Sequence, residues 1–138
     1  MRSRISLLAK IIALFWIIFF SNSAYACKFT WRHYGNHQVL EIIRETIGDK
    51  ITDEYCQKYN SKYLIFIHTV EYANSQETAV QATVGLVKRG SNDFPSKNRN
   101  NYYRETGNFV VGYGYKLSAN NALNAIMDLM SDLENYAN

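Results

Sequence analysis

The sequence predicts a small α+β domain: an antiparallel sheet of three or four strands flanked by an N-terminal and a C-terminal helix, in the order α-β-β-β-α, with one disulfide. Three observations predict it. Two segments, one early and one at the end of the chain, repeat apolar residues at helical spacing. Residues 63–86 between them alternate in polarity and are dense in β-branched and aromatic side chains. The chain carries only two cysteines, Cys27 and Cys56, behind a leader with the pattern of an export signal.

The leader comes first. Residues 1–10 are basic, residues 11–20 are an apolar run, and residues 21–26 are short and mostly small, ending Ala24-Tyr25-Ala26. This is the three-part arrangement of a secretory signal peptide. The apolar run is short for a span, because a bilayer core takes roughly 20 apolar residues. Cleavage near Ala26 is therefore the favoured reading over an uncleaved anchor, with no stable membrane insertion afterwards. Residues 27–138 are then the exported domain, periplasmic or secreted. Without Arg2, Arg4 and Lys10 it holds 12 bases and 12 acids, so the formal charge of +3 belongs to the leader. A neutral domain lacks the basic excess of a polyanion binder, which excludes nucleic acid as a general partner. About 112 residues suit one domain, and 47% hydrophobic content argues against disorder.

Cleavage after Ala26 makes Cys27 the first mature residue. Two cysteines in an exported chain read as a disulfide, which on the chain-entropy view stabilises the fold by about 3 to 4 kcal/mol. Acylation of Cys27 is the competing reading and excludes the bridge, but Ala24-Tyr25-Ala26 resembles a lipobox poorly. No Asn-x-Ser/Thr sequon occurs, which together with the leader tilts the reading toward a bacterial envelope protein.

Val39, Leu40, Ile43 and Ile47 recur at helical spacing, with Asn36 as a cap and Gly48 as a stop. Thr52 can cap a further short helical stretch through Tyr55, Cys56 and Tyr59, ending near Asn60. Residues 63–72 read as a strand with Leu64, Phe66, His68 and Val70 on one face and Tyr63, Ile65 and Ile67 on the other. After the turn Asn74-Ser75-Gln76, a second strand sets Val80, Ala82, Val84 and Leu86 against Glu77, Gln81 and Thr83. Residues 90–101 hold Pro95, the only proline, and read as an exposed loop. Residues 102–115 read as extended chain, with a possible break at Thr106-Gly107-Asn108. Ser118 is taken as the cap of the last helix, whose stripe is Ala122, Leu123, Ile126, Met127, Leu129, Met130 and Leu133, with Asp128, Asp132 and Glu134 facing water.

Chemistry-bearing patterns are sparse. His33 and His37 are four apart, but Gly35 between them argues against a helix and no carboxylate or cysteine completes a ligand set, so no metal is assigned. His68 lies mid-strand, where a packed core or edge histidine is the ordinary outcome. A secreted ribonuclease-like hydrolase would find residue types in His33, His37, His68, Glu71 and Arg104, but no diagnostic spacing. No nucleophile elbow, zinc-protease motif or phosphate-binding loop occurs, so no catalytic residue and no cofactor is assigned.

The stretch Gly112-Tyr113-Gly114-Tyr115-Lys116-Leu117-Ser118-Ala119-Asn120-Asn121-Ala122, with the helix, three-strand, helix order, resembles the end of a double-stranded RNA-binding domain. That family opens its last helix with consecutive lysines that touch phosphates. Here the comparable start carries only Lys116, so no residue role is carried over.

Lys88, Arg89, Lys97, Arg99 and Arg104 make residues 88–105 locally basic, with Phe94, Tyr102 and Tyr103 among them. Tyrosine and arginine are favoured interface anchors, and the mature part has ten tyrosines, more than a small core uses. A solvated loop with edge lysines explains the charges alone. The functional expectation places a partner-binding surface at Lys97, Arg99, Tyr102, Tyr103 and Arg104. The leading expectation is a binding protein, an inhibitor or immunity-type protein that blocks a toxin or hydrolase. The alternatives are an accessory component of an envelope secretion, pilus or conjugation apparatus, and a small secreted hydrolase.

Overall fold

The computed structural model describes residues 27–107, 109–110 and 112–137. The leader, residues 1–26, lies outside the described residues. Strand β1 (Trp31–Tyr34) precedes helix α1 (His37–Thr46), followed by a 3-10 turn (Ile47–Lys50) and one π-helical turn (Tyr55–Tyr59). Strands β2 (Tyr63–Ala73), β3 (Glu77–Lys88) and β4 (Asn98–Thr106) lead to α2 (Tyr113–Met130) and a final turn, α3 (Leu133–Tyr136). The sheet order is β1-β2-β3-β4.

This corrects two expectations. The order is β-α-β-β-β-α, and the sheet is mixed: β2, β3 and β4 pair antiparallel, while β1 runs parallel to β2. The parallel pair follows from the connection, because α1 carries the chain back before β2 begins, as a crossover must. β1 escapes periodicity because it is only four residues long. Gly35, which follows it, turns the chain at φ 148°, and a Cβ there would meet Thr69 Oγ1 at 2.4 Å and Thr69 O at 2.8 Å. Glycine alone fits that approach.

α1 is capped as its sequence predicts, with Asn36 Oδ1 accepting from Gln38 N–H at 2.8 Å. Thr52 Oγ1 accepts from Tyr55 N–H at 3.3 Å and opens the π-helical turn, which closes with Asn60 N–H on Tyr55 O at 2.9 Å. Cys27 and Cys56 form a disulfide with Cα atoms 5.8 Å apart, tying the chain before β1 to this turn. Among the described residues no helix is long and apolar enough to cross a membrane.

α2 corrects a third expectation. Its N-cap is Gly112, in the left-handed region at φ 90°, so Ser118 lies one and a half turns inside the helix. Ser118 is fully buried and donates to Glu71 Oε2 at 3.2 Å. The second strand considered between Thr106 and Tyr115 is absent from residues 109–110 and 112–115, because β4 ends at Thr106 and the helix starts at Tyr113. β4 also starts inside the expected loop, at Asn98.

Both long helices pack on one face of the sheet. Their residues Val39, Ile43, Ala122, Ile126 and Leu129 meet Ile65, Ile67, Ala82, Val84 and Leu86 in the main core. These strand residues alternate along β2 and β3, and the register sets Ile65 opposite Leu86, Ile67 opposite Val84 and Thr69 opposite Ala82. Alternation therefore sends every intervening residue to the other face, which no helix among the described residues covers.

Candidate functional site

The five residues expected to bind a partner all lie on or beside β4, but not on one surface. Arg99 and Tyr103 pair in register with Val84 and Val80 and share the helix side. Tyr102 and Arg104 pair with Gln81 and Ala79 and share the open side. Lys97 precedes the strand, its Nζ 3.5 Å from Asn135 Oδ1.

Two of the three cations of this group meet an acid. Arg99 Nη2 lies 3.1 Å from Asp128 Oδ2 on α2, and Arg104 is ion-paired with Glu77 across the hairpin. The Glu77 hydrogen bond and charge together hold the Arg104 guanidinium above its ordinary pKa. Asn121 Nδ2 donates to Asn101 O at 2.9 Å, so α2 satisfies one carbonyl of this last strand. The loop region reads as basic in sequence, but in the fold acids from β3 and α2 come to two of its arginines.

The open face has a different character. Its rows across the sheet include Arg32, Phe66, Gly85 and Asn98; Tyr34, His68, Thr83 and Asn100; Val70, Gln81 and Tyr102; and Tyr72, Ala79 and Arg104. At one end Leu64, Phe66 and Val87 form a small buried cluster. The loop before β4 folds over it: Phe94 lies 4.9 Å from Phe66 between ring centroids, and Tyr34 lies 5.4 Å from Phe66 on the other side. Gly85 makes that docking possible, because a Cβ there would meet Pro95 Cβ at 2.5 Å and Lys97 O at 2.8 Å. Arg32 Nη1 donates to Ser91 O at 3.2 Å and holds the loop to β1.

Beyond this cover the face is bare among the described residues. Tyr34 is 50% exposed, Val70 51%, Tyr72 58%, Tyr102 67% and Phe94 72%. Of these, Tyr102 and Phe94 stand out in sequence as members of an aromatic, locally basic stretch. Val70 and Tyr72 do not. The usable signal is the alternation of β2, in which Phe66, His68, Val70 and Tyr72 must share a face.

The histidines do not converge. His33 is on strand β1, where its Nε2 lies 2.8 Å from Thr69 Oγ1. Burial, then the neighbouring His68, lowers its pKa. His37 starts α1, largely exposed, with Nε2 3.4 Å from Glu41 Oε1. His68 lies on the open face beside Tyr34 and Thr83. Among the described residues no group of three or more His, Cys, Asp or Glu is arranged to hold a metal ion.

On the helix side, a cavity of about 570 Å³ lies where the β2–β3 turn meets the start of α2, lined by Glu71, Ser75, Thr78, Phe109 and Tyr115 among others. Burial raises the pKa of Glu71, partly offset by the Ser118 hydrogen bond. No sequence pattern distinguishes this recess, because its walls come from three separate segments.

No family model matches the chain, and no curated protein matches it.

Proposed function

We propose that this chain is an exported binding protein that blocks a toxin or hydrolase by protein–protein contact, docking through the open sheet face and β4. The observation that carries the reading is the uncovered face, with Tyr34, Val70, Tyr72, Phe94 and Tyr102 all at least half exposed on or beside a rigid sheet. Aromatic side chains on fixed strands offer large contact area with little entropy to lose on binding. Local neutralisation of Arg99 and Arg104 favours a protein partner over a polyanion, since phosphate binding needs unmatched cations. The disulfide fits an oxidising compartment, periplasmic or extracellular.

The test is a pull-down with the disulfide-intact protein from envelope and culture-supernatant extracts, run beside a Tyr72→Ala/Tyr102→Ala variant. One stoichiometric toxin or hydrolase, retained by the native protein, inhibited by it and lost with the double variant, supports the reading. Recovery of several membrane-complex subunits points instead to an accessory role in an envelope apparatus. Retention by the double variant removes the open face from the account.

A further inference from the structure

The helix-side cavity has a chemical bias of its own. Its polar wall is Glu71, Ser75 and Thr78, and its aromatic wall is Phe109 and Tyr115. Among the described residues, Glu41, Glu54, Glu77 and Asp128 each have a cationic partner, and Glu105 accepts from the Tyr113 hydroxyl at 2.7 Å. Glu71 has none of these. Ser118 Oγ, at 3.2 Å, makes the single hydrogen bond found for its carboxyl among the described residues, and no Lys, Arg or His is paired with it. Thr78 Oγ1 is buried and has no hydrogen-bond partner among the described residues. The recess thus combines an uncompensated, partly desolvated carboxyl with aromatic rings.

A carboxylate withdrawn from water is costly until an opposite charge arrives, and a cation beside it restores its ionised form. A charge-assisted hydrogen bond to that carboxylate is stronger than a neutral one, and aromatic faces attract cations further. An anion would instead meet Glu71 directly. We propose that this cavity binds an organic cation, an ammonium or guanidinium head group, with Glu71 as counter-ion and Phe109 and Tyr115 as aromatic walls. Two sources carry that chemistry: a free small amine, and an exposed Lys or Arg side chain of another protein. The site lies on the opposite side of the sheet from the proposed docking face, so either assignment can fail without the other.

The experiment is a titration of the disulfide-intact protein followed by amide NMR. The probes are n-butylguanidinium, its neutral isostere n-butylurea, and inorganic phosphate. The expected result is saturable shifts confined to Asn36, residues 71–78, 109–110 and 112–118 with n-butylguanidinium, and binding at least about tenfold weaker with n-butylurea. Glu71→Gln should lower n-butylguanidinium affinity by at least about tenfold while leaving the rest of the spectrum in place. If Glu71→Gln does not fold, Tyr115→Leu replaces it, with a several-fold loss expected. Equal binding of the neutral isostere, preference for phosphate, unchanged affinity in the folded variant, or no saturable shift with n-butylguanidinium would each overturn the proposal. Given charge-dependent binding, agmatine and acetyl-Gly-Arg-Gly-amide separate the sources. Tighter agmatine binding supports a free amine, and tighter peptide binding supports a protein side chain.

Discussion

The two faces of the sheet are built from the same strands and have opposite fates. On one, Ile65, Ile67, Val84 and Leu86 disappear under α1 and α2. On the other, among the described residues, Leu64, Phe66 and Val87 are met by the loop before β4 and by Tyr34, and Val70, Tyr72 and Tyr102 stay at least half exposed. Intrinsic apolarity does not separate the faces, since β2 is as apolar at Leu64 and Phe66 as at Ile65 and Ile67. Burial is decided by where the helices land. The covered face should therefore hold stability and the open face binding, and the contrast can be tested position by position.

The largest expected effect is on the covered side. Leu129→Ala, at a fully buried position of α2, should cost about 2 to 5 kcal/mol in urea unfolding, while Val70→Ala on the open face should stay within about 0.5 kcal/mol. Comparable losses at both positions would mean that the open face is packed after all.

Reducing the Cys27–Cys56 bridge, which closes a separation of 29 residues, should lower stability by about 3 to 4 kcal/mol. Unfolding midpoints with and without reductant measure it. The open-face aromatics should keep their exposure as long as the reduced protein stays folded, because the bridge ties β1 to the helical side of the chain.

Gly85→Ala probes the loop that covers one end of the open face. A methyl group there collides with Pro95, so the loop must lift or the strand must shift, at about 1 to 3 kcal/mol. Quenching accessibility of Phe94 and Phe66, read by NMR, should rise with the loss. An unaltered loop would show that Arg32 and Ser91 hold it by themselves.

The smallest effect concerns Glu71. Because burial raises its pKa, the folded state keeps a proton that the unfolded state has already released as pH climbs from the ordinary carboxylate value to the raised one. Stability therefore falls across that window and is unaffected by this group below it. Glu71→Gln should flatten that fall, so the variant gains on the native protein from acidic to neutral pH in parallel urea titrations. A variant that tracks the native pH profile would place Glu71 in ordinary solvent.

Much of the fold was legible in the sequence. The α1 stripe and its Asn36 cap, the two faces of β2, the β2–β3 hairpin and the C-terminal helix all follow from local periodicity, because each is long enough for one face to repeat. β1 was not legible, since four residues cannot establish a period and its pairing partner lies more than thirty residues away. Ser118 misled for a physical reason: a serine before an apolar run has the signature of a cap, but a small side chain is also what a helix needs where it presses on a strand. There it binds Glu71, and the helix begins earlier, at the left-handed Gly112. The candidate surface was legible in part. Tyr102, Arg104 and Phe94 could be named, but that β4 alternates its side chains, leaving Arg99 and Tyr103 on the other side, required the register.

By itself the sequence determined α1, the β2–β3 hairpin, the C-terminal helix, the cysteine pair and the neutral charge of residues 27–138, because each of these is a property of local order or of composition. Only the tertiary structure decided which face the helices cover, that β1 adds in parallel, that Arg99 and Arg104 meet acids, and that Glu71 meets no cation among the described residues. Those are contacts between residues far apart in the chain, and side-chain alternation says which residues travel together without saying which side will meet water.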